Sequence, residues 1–471
     1  MQNPPSPARA LDADILVLGS GLAGLRAAWA ALEENPGAGV VVASAARGPS
    51  GSSFANLHDR LGIQVCGDDA ERAALVEDVL AAAGPGEIDP VLVEVLAAES
   101  LDRFRDLEDL GAEFLRDGDG RRSAFSACFS PRSRRAAIFT DLGATYRRFA
   151  ERVEALGGRF LPGLTVRRLL AGDGRCRGAL LESEADGGRV ELRAEATIMA
   201  LGGPAPLFAY TQAGPRNPGF SYGLLDEAGV ELINAGYLQY MWASLPDRTF
   251  WNIAELARPG AGVLDASGNL VVPPPEIAKL AGARRGHCPY GFGLEDAALD
   301  HFLADYLDWD GAATVLSPSR GRLRVAPMAH AGNGGARVDA WGRTSLPGLY
   351  ACGECASGMH GANRVGGAMV LATQVFGRRA GLHAAKSLKK IGRGTDTLFT
   401  GLANPLPPPR GRNPHRERLA WSLQRNALRP CPEVRRLLGQ TREERKHAGD
   451  WRDRLALRTG VTLLNHFAAN C

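Results

Sequence analysis

The sequence predicts an α/β protein in which a dinucleotide-binding βα domain is interrupted by an inserted domain and followed by a short helical tail. Three observations predict it. A glycine turn joins an apolar strand to an alanine-rich helix in "DADILVLGSGLAGLRAAWAALEEN". Strands ending in glycine return at "TIMALGG" and at "LPGLYACGE". Between them, residues 236–335 lose the strand–helix rhythm and become rich in Trp, Pro and Tyr, as an insertion would.

Composition sets the outer bounds. The 471 residues, 45% hydrophobic and 23% charged, suffice for two or three globular domains. No uninterrupted apolar run reaches the roughly 18 residues of a membrane span, and "MQNPPSPARA" lacks the apolar stretch of a secretion signal. A cytoplasmic location is expected. Eight cysteines do not make a disulfide framework in a chain this long, so reduced thiols are expected. Cys352 and Cys355 in "CGEC" are open to a redox, a metal or a plain structural reading. No second CxxC completes a four-ligand site, and no metal is expected. The net charge of +3 hides an asymmetry, because residues 401–471 hold 14 Lys/Arg against 6 Asp/Glu. Such a tail is a solvated helical face or a dock for an acidic partner protein. No nucleic-acid reader motif accompanies it.

Each element follows from local pattern. Ile15 to Leu18 is an apolar β-run; Gly19 permits the tight turn, Gly21 lets backbone approach a pyrophosphate, and Gly24 lets the helix pack against the strand. A second strand, "GVVVAS", ends at Ser44-Ala45-Ala46, without the usual acidic ribose clamp. A helical region covers roughly 70–115, and "FSPRSRRAAIFTD" reads as a polar, arginine-rich loop. "TYRRFAERVEALGGRFLPGLTVRRLL" reads as a helix feeding a strand, and "RCRGALLESEADGGRVELRAEATIMALGG" as a β-pair around a Gly-Gly turn. "GLANPLPPPRGRNP", residues 401–414, reads as a stiff linker before the helical tail.

The order of these motifs, with "VDAWGRTSLPGLYACGE" and "GMHGANRVGG" late in the chain, resembles the flavoprotein family of fumarate reductases, succinate dehydrogenases and L-aspartate oxidases over roughly residues 12–386. The resemblance implies a Rossmann-like FAD-binding domain (1–235 and 336–390) split by a capping α+β domain (236–335), with a linker and basic tail at 391–471. It also implies chemistry at the junction. Arg364 in "GANRVGG" matches the arginine that grips a carboxylate, and His330 in "PMAHAGNGG" matches the substrate-binding histidine. A guanidinium forks onto a carboxylate, and glycine lets backbone crowd a flat ring. Arg258 matches the family's proton-carrying arginine, with Glu255 as an orienting carboxylate. The implied cofactor contacts are Gly19, Gly21, Gly24, Ser44, Ser52, Ser53, Gly202, Gly203, Gly353, Glu354, Gly366, Gly367 and Leu371.

The chain also departs from that family's pattern. Met241 replaces the histidine that holds a second carboxylate, and Ala254 replaces the threonine that assists it. The glutamate two residues after the proton-carrying arginine is Gly260, the acid of "GDG" is Tyr222, and Ser52 replaces the histidine that bonds covalently to FAD. Non-covalent FAD and a more apolar substrate pocket are expected. Two functions follow. One is an FAD-dependent oxidoreductase moving a hydride between flavin N5 and a C–C bond beside a carboxylate or carbonyl of a small organic acid or carbonyl compound. The other is a flavoprotein electron-transfer or scaffold subunit whose redox partner docks on the basic tail.

Overall fold

The computed structural model describes residues 9–284, 288–389, 413–429 and 432–469. The first apolar run forms β1 (Arg9–Leu18), and its end, Ile15 to Leu18, is fully buried. Continuous apolarity, in place of alternation, is what a strand covered on both faces requires. β1 lies parallel to β2 (Val40–Ser44), which pairs outward with β3 (Arg159–Pro162). The hairpin strands β4 (Leu164–Gly172) and β5 (Arg175–Ser183) lead into β6 (Arg189–Met199), the other parallel neighbour of β1. β6 is shared along its length. Its first residues pair antiparallel with β5, and Thr197 to Met199 pair parallel with β7 (Leu349–Ala351). One sheet thereby collects the early glycine turn, the "MALGG" end and the late "YACGE" segment at the carboxyl ends of its parallel strands.

Two long helices are fitted to each other through their backbones. On α2 (Ala368–Lys386), a Cβ at Gly377 would lie 2.7 Å from the carbonyl of Ala23, and one at Gly381 would lie 2.1 Å from that of Ala27. Ala23 and Ala27 belong to α1 (Leu22–Glu34), so glycines one turn apart meet alanines one turn apart. The helices run in parallel, and residues at the start of each line one cavity.

The chain between 238 and 332 forms a separate antiparallel sheet, in the order Leu238–Ser244, Gly321–Gly332, Ala313–Ser317, Gly262–Leu264 and Leu270–Val271. Helices Asp69–Ala82, Pro90–Ala98 and Ser100–Asp109 fill most of the expected helical region. The arginine-rich stretch expected as a loop is instead the strand Ser130–Thr140, paired antiparallel with Arg60–Gln64. Its charge misleads because Arg135 points inward, where it pairs with Asp78 and bonds Ser130, while Ala137 and Phe139 enter the core.

The expected linker lies outside the described residues up to 412. Asn413 caps the helix Pro414–Arg425, which packs with Val434–His447 and Trp451–Ala469. Three of the tail's arginines turn toward the body: Arg452 pairs with Glu182 and Glu184, Arg458 with Asp226, and Arg429 with Asp305. Among the described residues no helix is long and apolar enough to cross a membrane.

Candidate functional site

A cavity of about 640 Å³ runs from the β1–α1 turn to the inserted sheet. Its first half is built from backbone. Gly19 has φ +108°, and a Cβ there would lie 2.4 Å from the Ala200 carbonyl; one at Gly24 would lie 2.0 Å from the Gly19 carbonyl. Only glycine permits this closure of β1, α1 and the "MALGG" end. Gly21, at the helix start, offers no capping side chain, and the first turn of α1 holds no acid. The same is true of α2, which begins at Gly367 with φ +80°. Two helix N-termini therefore present open N–H groups and positive dipole ends to one cavity. Ser53 Oγ accepts from Leu22 N–H (3.3 Å), Ser52 Oγ accepts from Gly214 N–H (3.2 Å), and Ser44 Oγ donates to the Ala46 carbonyl (2.7 Å).

The second half is built from side chains. Arg364 is buried, its guanidinium donates to Gln239 Oε1, and its Nε has no hydrogen-bond partner. It enters no salt bridge among the described residues. Burial pulls its pKa down to about 10, against the nearby charges of Glu354 and Cys128, so the group stays cationic at neutral pH. Gln239 is itself held, because its Nε2 donates to the Arg364 carbonyl (2.9 Å). Glu354 Oε1 accepts from Gly332 N–H (2.6 Å); burial raises its pKa, and hydrogen bonds from Gly332 and Gly203 and the charge of Arg364 oppose the rise. His330 lines the cavity with its ring centroid 6.3 Å from that of Phe250, which lies 4.5 Å from that of His58. Met241 and Pro289 complete an apolar side.

The structure brings together most of the residues singled out from sequence. Gly19, Gly21, Ser44, Ser52, Ser53, Gly202, Gly353, Glu354, Gly366, Gly367, His330 and Arg364 line the cavity. Three others sit behind its wall. Gly24 packs on Gly19, a Cβ at Gly203 would lie 2.2 Å from Glu354 Oε1, and the Leu371 side chain is in the core. Arg258 and Glu255 are not at the cavity. Arg258 is exposed just past the 3₁₀ turn Ile253–Ala257, while Glu255 is buried and accepts hydrogen bonds from Ser317 and Ser319, which together outweigh the effect of burial and hold its pKa low. Residues that sequence reasoning missed include Gln239, Phe250, His58, Asn217 and Thr373. Gln239 stands two positions before Met241 and had that proximity as its signal; Phe250 and His58 reach the cavity through tertiary contact and had none.

Comparison with known proteins agrees with this geometry. Residues 14–370 match the family model described as FAD binding domain. The chain is 34% identical over 397 residues to an L-aspartate oxidase of Caulobacter vibrioides, covering 79% of this chain and 76% of that one. The chain belongs to this FAD-binding flavoprotein family. It is also 30% identical over 430 residues to a CoM/CoB fumarate reductase polypeptide of Methanothermobacter marburgensis, covering 81% of this chain and 74% of that one. Among solved structures, a chain of the Mycobacterium smegmatis Sdh1 complex superposes with a TM-score of 0.73 at 20% identity, covering 97% of this chain and 86% of that one. A quinol fumarate reductase chain of E. coli gives 0.69 at 20% identity, covering 98% and 88%. These two neighbours speak to the fold.

As a member of this flavoprotein family, the chain is an FAD-dependent oxidoreductase. The residues present fit FAD: α1 and Gly21 would hold the pyrophosphate, and Ser44 lies where an adenosine ribose follows the second strand. Gly366, Gly367 and the start of α2 would meet the electron-rich end of the ring.

Proposed function

We propose that this flavoprotein oxidises or reduces a C–C bond beside the carboxylate or carbonyl of a small organic acid or carbonyl compound that carries an apolar or aromatic end. Bound FAD supplies the two-electron chemistry at flavin N5. One observation carries the reading: Arg364 is a buried cation with an open Nε and no ion pair among the described residues, and it faces the cavity. A desolvated charge of this kind is costly without an anion, and a substrate carboxylate would complete it. His330 lies in the same wall and is suited to a second hydrogen bond to that group. Where a dicarboxylate would need another polar anchor, Met241, Phe250 and Pro289 present apolar surface.

The proton role expected of Arg258 requires the 253–258 segment to approach the cavity. An Arg258→Ala variant that binds acid normally but turns over at least ~10²-fold slower would support that role. An unchanged rate would transfer it to His330. Non-covalent FAD is part of the same reading, since Ser52 supplies a hydroxyl where a covalent link needs a stronger nucleophile; denaturation should release all flavin. A cytoplasmic location is likewise proposed.

Titration of the oxidised holoprotein with aryl-substituted unsaturated monocarboxylates, fumarate and succinate, read as perturbation of the flavin spectrum, tests the substrate class. Tighter binding of the aryl acids supports it, and preference for fumarate overturns it. Met241 and Tyr222, where the family resemblance implies a histidine and an acid, favour a second reading, an electron-transfer or scaffold subunit with a redox partner on the tail. Silence toward every acid, with flavin reoxidation by a partner protein, would establish that one.

A further inference from the structure

Two cysteines meet at the cavity from opposite parts of the chain. Cys128 lines the cavity between the strands Phe125–Ala127 and Ser130–Thr140. Cys288 precedes Pro289, which lines the same cavity. The two side chains lie close enough that each thiol influences the other's ionisation. Both segments are fastened to the loop that carries Arg364. The Cys128 carbonyl accepts from Gly366 N–H (3.0 Å). On the other side, Phe292 N–H donates to Asn363 Oδ1 (2.7 Å) and the Phe292 carbonyl accepts from Asn363 Nδ2 (2.9 Å). Tyr290 N–H is bonded to the Tyr240 carbonyl (2.9 Å), which fixes the residues after Cys288 from behind. Neither cysteine is in a disulfide.

The CxxC pair makes the contrast. Cys352 and Cys355 are fully buried; Cys355 Sγ accepts from Leu201 N–H (3.1 Å) and donates to the Gly202 carbonyl (3.3 Å). Burial pushes the Cys355 thiol up to about 12 and the Cys352 thiol higher. Burial and raised thiols in both favour the plain structural reading of that motif. Cys128 and Cys288 instead adjoin a cavity, beside the Arg364 charge, on two segments that no other covalent link joins.

We propose that Cys128 and Cys288 form a thiol–disulfide exchange site that takes a low-molecular-weight disulfide as its substrate and, when oxidised, covalently joins the 288–292 segment to the cofactor domain beside Arg364. The neighbouring Cys288 thiol, and then burial, push the Cys128 thiol well above its ordinary range, so the first attack is assigned to Cys288. The Cys288 thiolate displaces one thiol from the external disulfide and forms a mixed disulfide. Cys128 then gives up its proton, attacks the protein-side sulfur of that mixed disulfide and releases the second thiol. The protein loses two electrons and two protons, and the external disulfide leaves as two thiols.

The test uses reduced holoprotein incubated with oxidised glutathione, then alkylated, digested and mapped by mass spectrometry. The expected result is a loss of two of the eight thiols, a peptide containing Cys128 joined to one containing Cys288, and full reversal by dithiothreitol. Cys128→Ser and Cys288→Ser should each abolish the cross-link while leaving flavin content unchanged, and Cys128→Ser should trap glutathione on Cys288. Stable mixed disulfides on the unmutated protein, a cross-link through other cysteines, or no loss of thiols would each overturn the proposal.

Discussion

The two halves of the cavity are made of different materials. Where FAD would lie, the wall is largely backbone at Gly19 and Gly21, and Gly19, with Gly24 and Gly203 just behind it, stands so close to neighbouring carbonyls or a carboxylate that any side chain collides. Where the substrate is proposed to lie, the walls are the side chains of Arg364, Gln239, His330, Met241 and Phe250. Backbone walls are discrete, because an added methyl at 2.0 Å has nowhere to go. Side-chain walls are tunable, because a new residue changes charge and volume without moving the chain. On this contrast the first half would set whether FAD is held, and the second, on the proposed reading, what is oxidised or reduced.

The largest expected effect comes from breaking the backbone half. Gly24→Val places a branched side chain against the Gly19 carbonyl and Val17, where no rotamer escapes. Overpacking at such a contact costs about 3 kcal/mol or more. We expect colourless, poorly folded protein; stoichiometric flavin absorbance in purified Gly24→Val would erase the distinction between the halves.

Arg364→Met attacks the other half and should separate binding of flavin from turnover. Losing a charge-assisted grip on substrate should lower kcat/KM at least ~10²-fold, since buried, hydrogen-bonded charges typically contribute about 3 kcal/mol or more. Stability should move little. Removing a buried cation relieves its desolvation, while Gln239 Oε1 loses its donor, and the two effects oppose each other at about 1–3 kcal/mol. A melting temperature near that of the unmutated protein, with flavin retained and turnover gone, is the expected pattern. Turnover within about threefold of the original would move the anion grip away from Arg364.

The same division explains what could be read from sequence. Gly19, Gly202, Gly353 and Gly367 all have positive φ and mark the chain reversals that wrap the cofactor, so their spacing carried the fold and half of the site. Arg364 and His330 were singled out because glycine-rich motifs around them match the family's, and both line the cavity. Arg258 was assigned by its position in a motif, but cavity lining is a tertiary property, and here its segment turns outward. The Ser130–Thr140 strand was hidden because Arg135 is neutralised by Asp78, a partner 57 positions away that no local pattern announces. Cys128 and Cys288 are 160 positions apart, and only folding makes them neighbours.

A smaller effect should appear in the pH dependence of stability. His360 is buried, and burial first, then the charge of Arg364, drives its pKa well below 6.5. The unfolded chain takes up a proton below about 6.5 that the folded chain refuses, so stability falls as pH falls through that range, by at most about 1.4 kcal/mol per pH unit from this residue. His360→Gln should flatten the decline in urea midpoint between about pH 6.5 and 5 by part of that slope. His58, His301, His383 and His466 are also lowered and keep the remainder. An unaltered slope would show that His360 is charged in the folded state.

The smallest and most selective change is Met241→His. Met241 lines the cavity on the strand that also carries Gln239, the partner of Arg364, so a histidine there would add a second cation-capable donor to the same wall as the proposed carboxylate grip. The backbone is already fixed by pairing of Met241 with Met328 across the inserted sheet, and nothing in the glycine-built half is touched. Affinity for dicarboxylates such as fumarate should rise about five- to tenfold, the roughly 1 kcal/mol of one ordinary net hydrogen bond, while aryl monocarboxylates should lose a comparable factor as the wall becomes polar. Flavin content and melting temperature should stay as they were. Equal shifts for both acid classes would mean that position 241 does not face the substrate's far end, and the apolar pocket would then have to be assigned to Phe250 and Pro289 alone.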